Sequence, residues 1–371
     1  YEYSAAAAAM ALSGLSVDGV LVPENIAKLK LQMSDMAYTL QTVLGDMRSI
    51  QQDISIAGLS YDVAFTDPEE EGSFKLIGAI QGIAMEGSGA LPLDGDPQDM
   101  NAMLSAGLDF DGTLTSAGGN YELTFDGPDG SGTANSTSDG GEISFAMDTG
   151  GLSYGVAQRN VDFNMLLTEF PLPLSFSVNE VSTSITMPLQ KSPDPQDFGI
   201  EVLLSEFTMS DMIWGLFDPA GQLPRDPATL LVDLSGQAKV LFNFLDPTQA
   251  AILEQTGAAP GELNALTLNA LELDAAGAKL TGDGAFTFDN SDTVTFDGMP
   301  RPAGGVDLNL VGGNALLDKL VAMGLVPEEQ AMGARMMMGL FAVPGETPDT
   351  LTSRIEVNEE GHVLANGQRI R

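Results

Sequence analysis

The stretch LLVDLSGQAKVLFNF, residues 230–244, decides the fold. Leu230, Val232, Leu234, Ala238, Val240, Phe242 and Phe244 share one parity, so an extended chain would carry them all on one face. The period is two rather than 3.6, and a long half-buried strand with Gly236 in its interior is the expected element. Tyr61, Val63 and Phe65 repeat the pattern, as do Leu174, Phe176 and Val178. Beyond Val178 the phase slips, and Val181, Thr183, Ile185 and Met187 continue on the other parity. A slip at Asn179 and Glu180 is what a β-bulge or a short turn requires. With 42 Gly and 20 Pro punctuating such segments, the expected class is mainly β. We expect a β-rich α+β protein of elongated, largely antiparallel twisted sheets with a few helices packed on them.

The helix signals are few. Asp96-Pro97 predicts an N-cap and a first-turn proline ahead of MNAMLSA, with Gly107 as a stop. Asp246-Pro247 opens another helix. Residues 314–323 and 327–341 predict a C-terminal pair broken at Gly324.

Five short stretches recur in the same order. MSDM occurs at 33–36 and 209–212, each followed by an aromatic (Tyr38, Trp214) and a leucine (Leu40, Leu216). VAFTDP (63–68) matches VLFNFLDP (240–247), and QGIAMEGSGA (81–90) matches NALELDAAGA (269–278). LTFDGP (123–128) pairs with VTFDGMP (294–300), and Gly140-Gly141 with Gly304-Gly305. The order implies a duplicated β-rich unit: residues 1–150 as a first half, and 151–371 as a second that includes the helical pair (316–341) and final strands.

Charge and composition exclude several chemistries. Fifty-two Asp and Glu against 15 Lys and Arg give a formal net charge of −37, which argues against a nucleic-acid partner. The absence of Cys removes disulfides, thiolate nucleophiles and cysteine metal sites, and a single His leaves little for a His-based metal centre or triad. No cofactor and no metal is expected. At 43% hydrophobic the chain carries enough apolar surface to fold. It starts with Tyr1, as a mature or trimmed product would. Residues 3–17 form an apolar run of 15, shorter than the ~20 that span a bilayer and without a basic flank, so a core segment is expected there. The chain reads as soluble, or peripheral to a membrane rather than spanning it.

Some strings resemble chemistry. DFDGT, residues 109–113, matches the DxDGT signature of haloacid-dehalogenase-type phosphatases, whose two aspartates attack phosphorus, move a proton and hold Mg²⁺. That family needs a buried parallel strand before the motif and a helix after it. Here YELTF (121–125) reads as another strand, and Phe110 and Leu114 sit opposite in phase to Asp109 and Asp111, so the string is expected to be an ordinary half-buried strand. Met33/Met36, Met100/Met103 and Met209/Met212 have the spacing of a helix face that fills a core, the reading preferred over soft copper ligands. MIWGLF (212–217) holds the only Trp and is expected to be buried. Asn135-Ser-Thr137 is a formal glycosylation sequon in what reads as a flexible loop, and His362 reads as a strand or surface residue. Met336, Met337 and Met338, with Phe341 beyond, are flexible groups suited to varied apolar ligands.

FPLPLSFSV (170–178), MPLQKSPDPQDF (187–198) and MSDMIWGLFDPAGQLPRDPA (209–228) resemble domain-of-unknown-function family 2125, a set of alphaproteobacterial envelope proteins usually made with a cleaved signal peptide. The resemblance implies a periplasmic address and carries over no activity. More weakly, the C-terminal order of strand, helical pair and strands ending at Gly361 and Asn366-Gly367 is similar to AsmA-like envelope proteins, which implies apolar grooves associated with lipid traffic. The expected function is therefore a non-enzymatic periplasmic binding or scaffold protein. Its apolar groove would take acyl chains or a hydrophobic partner segment, with Trp214, Phe217, Met336, Met337, Met338 and Phe341 as lining candidates. An accessory subunit of an envelope complex is the alternative, and a phosphatase using Asp109 and Asp111 the remote one.

Overall fold

The computed structural model describes residues 2–12, 16–17, 20–21, 27–67, 72–170, 172–257 and 259–371. The chain is mainly β and its ladders are antiparallel. The first strands are β1 (Glu2–Leu12), β2 (Ser16–Val17), β3 (Val20–Leu21), β4 (Ala27–Leu44), β5 (Met47–Asp67) and β6 (Gly72–Pro92). After helix α1 (Met100–Ser105) come β7 (Asp109–Ser116), β8 (Gly118–Gly127), β9 (Gly130–Ser138), β10 (Gly141–Asp148), β11 (Gly151–Leu167), β12 (Leu174–Met187) and β13 (Gln196–Met209). Helix α2 (Asp211–Phe217) precedes β14 (Ala228–Val240), and α3 (Pro247–Thr256) precedes β15 (Gly261–Ala275), β16 (Ala278–Asp289) and β17 (Arg301–Val311). The helical pair α4 (Gly313–Ala322) and α5 (Glu328–Phe341) leads to β18 (Val343–Pro344), β19 (Thr350–Val357), β20 (Val363–Ala365) and β21 (Gln368–Arg369).

Apart from the small β2–β3 pair, these strands make one sheet in which each rung pairs with the one before it. β7 and β8 run in line, with β6 pairing to both (Ala84 with Thr115, Ser73 with Asp126). β9 and β10 also run in line and pair with β11 (Phe163 with Ser136, Ile143 with Val156). Among the described residues no ladder joins the first rung to the last, so the sheet is open. The boundary at residue 150 falls in the hairpin turn between β10 and β11. The internally similar stretches occupy different settings: 33–36 lies within β4, while 209–212 straddles the β13–α2 junction.

The phase slip seen at Asn179 is part of a transverse crease. Asp35 in β4, Gly82 in β6, Gly140 before β10, Asn160 in β11 and Glu206 in β13 all have positive φ. The register puts these residues, with Ala57, Ala117 and Asn179, on one line across eight successive rungs, with a step of one residue where Gly140 faces Arg159. Ser34 pairs with Gly58 and Met36 with Ile56 on either side of it, and further along Arg159 pairs with Glu180 and Val161 with Val178. Each rung carries the same extra residue, so the ladder stays in step while apolar parity inverts. In β5, Ile50, Ile54 and Ile56 give way to Leu59, Tyr61, Val63 and Phe65. A single extra residue re-phases a strand as a bulge does, and keeps both apolar sets on one face. Asp and Asn tolerate the left-handed region, but Glu206 does not benefit from it. Glu206→Gly should therefore stabilise the protein by about 1 kcal/mol, read as a higher urea midpoint.

Little of this sheet is covered. The accessible surface is 21673 Å², against about 14,000 Å² for a compact protein of this 38.8 kDa mass. Phe65 and Phe74, ring neighbours at 6.3 Å, are 40% and 38% exposed. The best-packed core lies under α1, where buried Met103, Leu104, Leu108, Met147 and Leu189 meet Leu91, Phe110 and Phe145.

Several local expectations need correction. The cap of α1 is Asp99, which accepts the Ala102 N–H, and not Asp96, which accepts the Gln98 N–H in the turn that Pro97 begins. Asp246 does cap α3 through the Thr248 N–H. The strand of residues 230–244 stops at Val240, because the Phe244 N–H bonds to the Leu189 carbonyl and the chain turns into α3. Asn135 lies in strand β9, not in a flexible loop: β8 and β11 pair with it on both sides, and ladder bonds override the low strand propensity of its Gly, Ser and Asn. Of the apolar run at residues 3–17, residues 3–12 lie in β1 and Ser16–Val17 form β2; residues 13–15 lie outside the described residues.

The loop between β16 and β17 is pinned by Arg301, 3.0 Å from Asp289 and 3.1 Å from Asp292. The Ser291 hydroxyl and Arg301 hold the Asp289 carboxyl down at about 2, and Thr295 and Arg301 hold Asp292 low. A depressed carboxylate stabilises the fold fully above its unfolded value near 4, and that stability is lost as pH falls through the folded value. The gap in melting midpoint between the wild type and Asp289→Asn should be full at pH 5 and above, and should close towards about pH 2.

Candidate functional site

A strongly apolar hollow lies on the creased face beneath α1. It is about 660 Å³ and is walled by Met100, Met103, Leu108, Phe110, Leu114 and Phe145. The sheet itself explains why space remains there. Gly87 pairs with Gly112, which pairs with Phe145, while Gly89 pairs with Phe110. These glycines are in phase with Met85, Leu91, Phe110 and Leu114, so a floor without side chains sits among bulky apolar neighbours. A Cβ at Gly89 would lie 3.0 Å from the Asp109 carbonyl, which fixes close backbone approach, whereas one at Gly112 meets nothing nearer than 3.5 Å. Phe110 and Phe145 stack at 5.1 Å along one wall.

The phosphatase-like string is the strand at this wall. β7 is paired antiparallel on both sides, by β6 and β10, and is followed by strand β8 rather than a helix. The side chains of its even positions share the apolar phase of the trough, while Asp109 and Asp111, which also border the hollow, are exposed and belong to the opposite phase; the Ser88 hydroxyl donates to Asp111 at 2.6 Å. Of the methionine pairs, Met100 and Met103 share α1 and line the trough. Met33 and Met36 flank the crease residue Asp35 in a strand, and so do not form a helix face.

The lining candidates divide between two other places. On α2, Trp214 and Phe217 rings lie 5.0 Å apart, with the Arg225 guanidinium 5.8 Å above the indole. The run is not buried: Leu216 is 56% exposed and Phe217 37%, because this short helix leaves the end of β13 with one side against the sheet and nothing over the other. Asp218, which ends α2, is the buried group here. Burial pushes its carboxyl up, but the Gln222 and Leu223 N–H groups, at 2.8 and 2.9 Å, outweigh that and hold it below the usual range.

Under α5, Met337, Met338 and Phe341 line a smaller hollow of about 280 Å³ with Leu280, Leu308, Leu310 and Leu351. Met336 does not line it and is 65% exposed. His362, half-buried beside β20, has Nδ1 3.2 Å from Glu360. Among the described residues no helix is long and apolar enough to cross a membrane.

The trough under α1 was missed because its glycines read as punctuation. The usable signal was their phase: glycines on the parity of the apolar residues open a floor, while glycines off it only mark turns.

Fold and hollow together define an open, creased antiparallel sheet with an apolar trough. Residues 103–366 match the family model described as an uncharacterized protein conserved in bacteria (DUF2125). The chain belongs to this family; strands β4 to β6 extend the sheet ahead of the matched region. Comparison with curated proteins and with solved structures gives no match.

Proposed function

We propose that this is a non-enzymatic periplasmic binding protein whose trough under α1 holds acyl chains. The observation that carries the reading is the trough itself: about 660 Å³, walled by methionine, leucine and phenylalanine, on a sheet that stays largely exposed. Its size is in the range of small-molecule sites, roughly 300–1,000 Å³. Burial of chain methylenes supplies about 25 cal/mol per Å² removed from water. Methionines on α1 suit chains of varied shape, since thioethers repack at little cost. The periplasmic address rests on the likeness of residues 170–228 to envelope proteins. Native mass spectrometry of protein purified without detergent tests the reading. An adduct that organic extraction removes is expected; a bare chain that also takes up no added alkane would refute it.

The second reading is an accessory subunit of an envelope complex. Met332, Met336 and Leu340 favour it: spaced four apart, they form one exposed apolar stripe along α5. Crosslinking in native membranes would then give a fixed-stoichiometry product through α5.

A further inference from the structure

We propose that the ligand of the trough carries an uncharged, hydrogen-bonding head, such as an ester or a polyol, and that this head sits in a second hollow at the crease. The inference rests on the reading of the trough as an acyl-chain site. The second hollow is about 180 Å³ and is lined by Tyr61, Tyr121, Ser136, Asn120, Gln158 and Ser116, among others. It continues the trough along β7: Gly112 and Leu114 line the one and Ser116 the other, in the same phase. Two residues of strand separate Leu114 from Ser116, about 7 Å. An amphiphile with its chain under α1 therefore brings its head to the crease.

The chemistry of this hollow is specific in two respects. It is polar within an apolar face, and no charged residue lines it. An anionic head would leave water to meet no cation in a chain of net charge −37, and a cationic head would meet no carboxylate there. Hydroxyl and amide groups instead donate to and accept from a neutral oxygen. Among the described residues the hydroxyls of Tyr61, Tyr121 and Ser136 make no hydrogen bond to the protein and stay open to water or to a ligand head.

The fold also holds the phenol in place. A Cβ at Gly78 would lie 2.3 Å from the Tyr61 hydroxyl, so only glycine lets that ring lie across β6. Burial, and Tyr121 beside it, push the Tyr61 phenol up, which keeps it a neutral donor.

Displacement of a fluorescent alkyl probe from the full chain, at pH 8, tests this with three competitors of equal chain length: monododecanoylglycerol, dodecanoate and dodecane. The glycerol ester should bind roughly tenfold more tightly than dodecanoate. Tyr121→Phe and Ser136→Ala should each weaken the ester roughly three- to tenfold and leave dodecane unchanged. If dodecane binds but dodecanoate matches the ester, or the variants bind the ester as the wild type does, the hollow holds water only and the inference falls while the trough reading stands. If dodecane does not bind, the trough reading falls as well. The wild-type preference needs no variant, so misfolding of either one leaves the test intact.

Discussion

Gly140→Ala should destabilise the protein by about 3 kcal/mol or more, measured as urea midpoint and soluble yield. Gly140 is the crease residue between β9 and β10, with φ +97°. An added Cβ would come 2.0 Å from the Ser116 carbonyl and 2.8 Å from the Ala117 carbonyl carbon. Both contacts are backbone of the adjacent rung, so relief requires moving a strand that is paired on its other side to β6. Gly130, at the β8–β9 turn, supplies the control. Its φ is +135°, but nothing stands within 4 Å of its virtual Cβ, so Gly130→Ala should cost only local strain, about 1 kcal/mol. If the two substitutions cost the same, the crease is not the rigid shared feature that the register implies.

Gly112→Leu should abolish alkyl binding, by roughly tenfold or more in affinity, without unfolding the protein. Gly112 is the trough floor with room above it: its virtual Cβ lies 3.5 Å from the Glu86 carbonyl, an ordinary contact. The isobutyl group would therefore occupy the space assigned to the ligand. Glycine weakens a strand interior by roughly 0.5–1 kcal/mol, so the variant should be as stable as the wild type or more so. Lost binding with retained stability separates occupation of the site from damage to the fold.

Much of the fold was legible because sheet ladders impose a period of two. Leu230, Val232 and Leu234, like Leu174, Phe176 and Val178, marked strands that the structure contains, and Asp246-Pro247 and Gly324 marked helix ends. The family was legible in the likeness of residues 170–228. The crease was not, since a single strand shows only a slip; its meaning lies in neighbouring rungs that slip at the same level, which pairing alone reveals. Residues 212–217 were misread because apolar side chains usually find a second layer, and this sheet gives α2 none. The site was harder still. Side chains announce themselves in a sequence, whereas the trough depends on side chains that are missing at Gly87, Gly89 and Gly112, and its helix, α1, is only six residues long.

Photo-crosslinking with an alkyl diazirine, followed by peptide mapping, tests most directly whether this open apolar face holds a chain under α1. The expected adducts fall on α1 and the facing strands, at Met100, Met103, Phe110 and Leu114, and disappear in Gly112→Leu. Adducts confined to α5, or unchanged by Gly112→Leu, would contradict the account.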